Sequence, residues 1–158
     1  MKQRNKLSAF TLVELVVVVA IIGIMLSVAV PSFRTYNANS LADSTHKKLL
    51  YDISFARSSA RDYSDSVQIT PRNNDWNNGW VISIVNGDVL RMSNGLSANV
   101  RVTSTDFDQA TPITFNSEGR AVTVGDLAIV TQNCAGDRQR TIQINLMGQA
   151  RTQEVACQ

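Results

Sequence analysis

Glu14 makes the sharpest chemical demand in this chain. It lies in a run from Phe10 to Val30 that is apolar apart from Thr11, Glu14, Gly23 and Ser27. As a helix, about 20 residues at ~1.5 Å each span the ~30 Å of a bilayer core. A carboxylate inside such a segment costs roughly 2.5–3.5 kcal/mol on insertion scales, so it calls for a cationic partner. A cut between Ala9 and Phe10 would create one, because the new α-amino group then lies four residues before Glu14. It would be within reach of that carboxylate or of Glu14 in a neighbouring subunit. The same cut removes Lys2, Arg4 and Lys6.

The remaining reactive side chains assemble no catalytic constellation. His46 is the sole histidine, on a stretch rich in Lys and Ser that reads as solvent-facing. No nucleophile elbow, P-loop, CxxC pair or metal-ligand spacing occurs, which reads as a non-enzyme with no cofactor and no metal. A secretory signal would place its cleavage site after the apolar run, yet here the run passes through Val30 and Pro31 into Ser32 and Phe33. From hydropathy alone, an uncleaved signal anchor fits as well as a cut before Phe10.

These residues need elements to hold them. Beyond Pro31 the spacing of Leu49, Ile53, Ala56 and Ala60 is that of a helix with one buried stripe, with Lys47, Lys48, Asp52, Arg57 and Arg61 on other faces. The same helix is expected to run to about Asp62, ~75 Å in all. Pro31 should kink it, and Gly23 and Pro31 mark a stretch able to loosen. From Val67 onward, short β-type runs alternate with turn residues: 67–70, 80–85, 89–92, 100–103, 113–115, 121–124, 127–131 and 141–146. Asn86-Gly87 signals a type I′ hairpin, and residues 116–119 a second one with Gly119 at positive φ. Trp76 and Trp80 read as core and turn packing around Gly79. The fold class is α+β, one long N-terminal helix against two small antiparallel sheets. The domains are a leader at 1–9, a hydrophobic helix at 10–36 and a globular part at 37–158.

The segment AFTLVEL followed by VVVVAIIGIMLSVAVPSF resembles the type IV pilin (prepilin) N-terminus residue by residue, from Ala9 to about Phe33. Ala9 stands where that family usually has Gly. LLYDISFARSSA, WNNGWVISI, ITFNSEGRAV and RTIQINLMGQAR are similar to the GspH/FimT family of minor pilins and pseudopilins. The resemblance implies a pilin fold, cleavage by a prepilin peptidase between Ala9 and Phe10, N-methylation of Phe10, and a role for Glu14 in fibre assembly. It further implies a single pass of the bacterial inner membrane, a periplasmic domain, and other pilins as partners through the helix. The reading is a minor pilin of a type IV pilus, of FimU-like or FimT-like kind, at the tip or in the priming complex. A type II secretion pseudopilin and a DNA-binding pilin for natural transformation are the alternatives.

For an exported protein, Cys134 and Cys157 read as one disulfide that tethers the terminal strand, contributing on the order of 3 kcal/mol in the chain-entropy model. In the FimT branch a C-terminal Gly-Arg-x-Arg segment is implicated in DNA binding. The matching residues here are Gly148, Gln149, Ala150 and Arg151, so the first arginine is missing. Arg151, Arg138, Arg140 and Arg120 are the candidate DNA contacts. The 15 Lys+Arg against 13 Asp+Glu become 12 against 13 once the leader cations are gone, which argues against generic polyanion binding. Mass spectrometry of assembled material should find a mature chain beginning at methylated Phe10; an intact Met1 or a cut after Pro31 would reject this reading.

Overall fold

The computed structural model describes residues 11–132 and 134–157. Residues 51 in number, Leu12–Asp62, form the single helix α1. Its composition changes along its length. Up to Phe33 nearly every side chain is apolar, and the large ones lie open: Leu12, Ile24, Val28 and Phe33 are each about 70% exposed or more. From Ala38 on, a single stripe turns inward, comprising Ala38, Ala42, Thr45, Leu49, Asp52, Ile53, Ala56, Ser59 and Ala60. The helix is unbroken through Gly23 and Pro31. The chain divides into two units, one ending at Arg34 and the other beginning at Thr35.

In the second unit eight strands follow: β1 Val67–Pro71, β2 Trp80–Ile84, β3 Val89–Met92, β4 Val100–Thr103, β5 Ile113–Phe115, β6 Gly125–Thr131, β7 Gln139–Ile144 and β8 Ala150–Val155. They make two four-stranded antiparallel sheets, ordered β3-β2-β1-β5 and β4-β6-β7-β8. Alternation decides which side chains face inward. Val67, Ile69, Ile82, Ile113 and Phe115 from the first sheet, and Val102, Leu127, Ile129, Ile142 and Ile144 from the second, meet Leu49, Ile53, Ala56 and Ala60 in one continuous core. Each large side chain buried there contributes roughly 1.5–3 kcal/mol. Trp76 and Trp80 lie inside it, ring centroids 6.3 Å apart, with the Trp76 indole N–H donating to the Phe107 carbonyl at 3.0 Å.

Three local expectations need correction. Residues 121–124 form no strand beyond a single bridge from Ala121 to Phe115. There the Thr123 hydroxyl donates to the Pro112 carbonyl (2.7 Å) and accepts from the Thr114 N–H (3.1 Å), so a side chain takes the place of a backbone ladder bond. The Asn86-Gly87 turn is not type I′, which requires positive φ at both central residues. Asn86 has φ 59°, but the turn is closed by the Gly87 N–H on Ile84 O, and the Ile84 N–H bonds Asp88 O. The Val85 N–H is held by Ser66 O at 2.8 Å, which ties it to the residue just before β1 and leaves a three-residue loop. Gly119, by contrast, has φ 73° as expected.

The third correction concerns Asp52. It lies on the inner stripe, with its side chain 4% exposed. Its Oδ2 accepts from the Trp80 indole N–H at 2.8 Å and its Oδ1 from Arg91 Nη1 at 3.0 Å. The Arg91 guanidinium stacks on Tyr51 and Phe55, 4.8 and 4.2 Å from their centroids. A buried carboxylate is tolerated when it is paired and hydrogen-bonded, and here the helix, β2 and β3 all supply part of the arrangement. Asp52→Ala strands the buried indole N–H and removes the partner of Arg91, so it should cost on the order of 3 kcal/mol in urea unfolding of the detergent-solubilised chain. Asp52→Asn, which keeps an acceptor for Trp80, should cost less.

Candidate assembly and interaction sites

The start of α1 is built by two side chains. Thr11 precedes the first helical residue, and its hydroxyl accepts from the Glu14 N–H at 3.2 Å. Glu14 Oε2 reaches back to the Thr11 N–H at 3.1 Å and to its hydroxyl at 3.2 Å. This is a capping box, which satisfies donors that a helix start leaves open and places a negative charge at the positive end of the helix dipole. Reading Glu14 only as the partner of an amine missed Thr11, although Thr-x-x-Glu ahead of an apolar run is itself a capping signal. Ala9 and Phe10, the expected cleavage and methylation residues, lie outside the described residues.

Behind the cap comes an apolar surface on all sides of the helix, long enough to cross a bilayer by length and composition.

The four candidate DNA arginines do not converge. Arg140 lies on the inner face of β7, with its side chain 8% exposed, and is bound to Asp43 of α1 at 3.5 Å and to Glu154 of β8 at 3.2 Å. It also donates to the Asp137 carbonyl. Arg138 pairs with the same Asp43 at 3.3 Å. Arg151 pairs in register with Gln143, and so projects from the opposite face to Arg140, with no ion pair among the described residues. It borders a groove of about 560 Å³ together with Val124, Asp126, Gln143, Leu146 and Met147. Arg120 is exposed in the 116–120 turn. Strand alternation therefore separates Arg140 from Arg151, and ion pairing occupies Arg138 and Arg140.

Cys134 and Cys157 form a disulfide, with Cα atoms 5.8 Å apart, and the Cys157 N–H bonds Gly136 O at 2.9 Å. The loop so closed also reaches the helix, where the Ala135 N–H donates to Asn39 Oδ1 at 3.3 Å.

His46, expected to face solvent, is instead half-buried beneath β8, its Nε2 2.9 Å from the Thr152 hydroxyl. Burial and the nearby Arg140 charge push its pKa below the ordinary 6.5; Lys47 acts in the same direction, while Asp43 and Glu154 oppose. With the folded-state pKa depressed, the unfolded chain binds the proton more readily as pH falls past 6.5, so the stability held at neutral pH is lost on acidification. Unfolding measured at about pH 7.5 and about pH 5.5 should show that loss, and His46→Gln should reduce the difference.

A family model described as the prokaryotic N-terminal methylation motif matches residues 4–30, and one described as type II transport protein GspH matches residues 47–148. A comparison with curated proteins finds no match. Among solved structures the chain is similar to the type IV minor pilin FimU of Pseudomonas aeruginosa PAO1. In the P21 crystal form the identity is 22% and the TM-score 0.58, over 79% of this chain and 98% of that one. In the P65 form the identity is 23% and the TM-score 0.58, over 73% and 99%. At this identity the likeness is one of fold: a long N-terminal helix packed against two small antiparallel sheets. The GspH model matches well over half of the chain, from the amphipathic part of α1 to the turn before β8, and the chain belongs to the GspH family.

Proposed function

We propose that this protein is a minor pilin of a type IV pilus, a structural subunit and not an enzyme. Residues 1–9 are its leader, 10–36 its membrane and fibre helix, and 37–158 its periplasmic domain. One observation carries the reading: a helix capped by Thr11 and Glu14 whose next twenty-odd residues are apolar and exposed on every side. Such a surface is stable in lipid or against other helices of its kind, and not in water. A prepilin peptidase cuts before Phe10, the subunit waits in the inner membrane through this one helix, and its helix then joins those of other pilins in a fibre. In that setting the capping box holds the Glu14 carboxylate at the start of the helix, available to pair with the new α-amine within or between subunits.

The GspH match supports a second reading, a pseudopilin of a type II secretion system, which differs in the fibre joined and not in the chemistry of joining. The DNA-uptake reading gains no support from the arginines, two of which are spent on Asp43 and Glu154.

Glu14→Ala should insert into membranes as well as the wild type, or better, because it removes a costly charge. Its incorporation into sheared native fibres should fall about tenfold or more, the effect of losing ~1.4 kcal/mol or more of pairing. Wild-type incorporation by the mutant would reject the proposed role of Glu14, and absence of the wild-type chain from both pili and secretion fibres would reject the function.

A further inference from the structure

Two arginines of α1 share a cavity and have no counterion among the described residues. Arg57 and Arg61, one helical turn apart, line a recess of about 390 Å³ with Leu50, Ile53, Ser54 and the Gly148–Ala150 turn. Arg57 is half-buried. Its Nε donates to the Gly119 carbonyl at 2.8 Å and its Nη2 to the Met147 carbonyl at 2.9 Å, so one side chain ties both hairpin turns to the helix. No hydrogen bond occupies its Nη1 among the described residues, and no carboxylate there lies within ion-pair distance of either guanidinium. The stem of Arg61 lies against the Gly119 turn, its Cγ and Cδ 3.2 and 3.1 Å from where a Cβ on Gly119 would stand.

This arrangement is unfavourable by itself. Like charges at i and i+4 on a helix repel, and a cation partly withdrawn from water wants an anion. Asp43 and Glu154 neutralise Arg140, and Asp52 neutralises Arg91, within the same unit. Arg101 and Arg120, also without an ion pair among the described residues, are exposed to water, as is Arg61, whereas Arg57 is half-buried.

We propose that the recess is a receptor for a single carboxylate carried by a neighbouring pilin-type subunit; this rests on the function proposed above and names a contact within the fibre. Nη1 of Arg57 and the guanidinium of Arg61 offer N–H donors from two side chains to the two oxygens of one carboxylate. Leu50 and Ile53 supply an apolar wall on one side, where a pair is less screened than in open water, and Ser54 adds a hydroxyl at the exposed rim. A nucleic acid fits less well. From residue 37 on, 11 Lys+Arg face 12 Asp+Glu, and the rest of the lining is uncharged, whereas backbone phosphates require a track of cations.

The test uses the full-length chain in its own cells, with a photo-cross-linking amino acid at Ser54. In assembled fibres the adduct should map to a peptide of another subunit that contains an Asp or Glu. Arg61→Glu should abolish the adduct and lower incorporation about tenfold, Arg61→Lys should retain most of both, and a Lys in place of the mapped carboxylate should restore the Arg61→Glu protein. Folding of each variant is checked by membrane insertion and by the intact Cys134–Cys157 disulfide. If Arg61→Glu misfolds, Arg61→Gln takes its place, with the same loss of adduct expected. Unchanged adduct and incorporation in the charge-reversed chain, or an adduct on a peptide without an acidic residue or on DNA, would overturn the inference and leave the pilin reading standing. Absence of the wild-type chain from any fibre would remove both.

Discussion

One helix in this protein serves two solvents, and the rest of the structure follows from that constraint. Up to Phe33 α1 is apolar on every side, which suits lipid or a bundle of like helices and nothing else. After Ala38 it shows one inward stripe and a polar remainder, which suits water on one side and a protein core on the other. The small residues Ala42, Ala56 and Ala60 on that stripe let the sheets approach the helix closely, while Leu49 and Ile53 fill the space between. Without the second half the sheets would have no common core, and without the first the domain would have no place in a membrane or fibre.

Polar contacts fix where the sheets sit on the helix. Asp52 reaches β2 and β3 through Trp80 and Arg91, Asp43 reaches β7 through Arg140, and Arg57 reaches the turns before residue 120 and before β8. Hydrophobic burial is non-directional and would tolerate small slides of helix against sheet; a buried carboxylate with two named donors does not. Gly148 belongs to the same system. It has φ 71°, and a Cβ there would stand 2.3 Å from the Gly119 carbonyl that Arg57 binds, so the two turns meet only because this residue has no side chain.

The local misreadings have a common cause. Val122 and Val124 have strand propensity, but Thr123 makes side-chain bonds that only the nearby Pro112–Thr114 segment can offer. Asn86-Gly87 would form a two-residue turn in an isolated hairpin, but Ser66, just before the neighbouring strand β1, claims the Val85 N–H. Asp52 and His46 read as surface residues because polarity is a weak guide to position once a partner from a distant strand is present, Trp80 in one case and Thr152 in the other.

Local and periodic features were legible from the order of residues alone: the apolar run that marks a membrane segment, the 3.6-residue stripe through Leu49, Ile53, Ala56 and Ala60, the strand alternation, the positive φ at Gly119 and the α+β class. Each depends on neighbours a few positions apart, and that spacing is written in the chain. Tertiary structure alone decided that Asp52 is buried, that Arg140 is neutralised while Arg57 and Arg61 find no carboxylate among the described residues, and that Arg151 and Arg140 point to opposite sides of one sheet. The reason is physical: the fate of a charge is set by what faces it across the packed interface, and that partner can lie anywhere in the sequence.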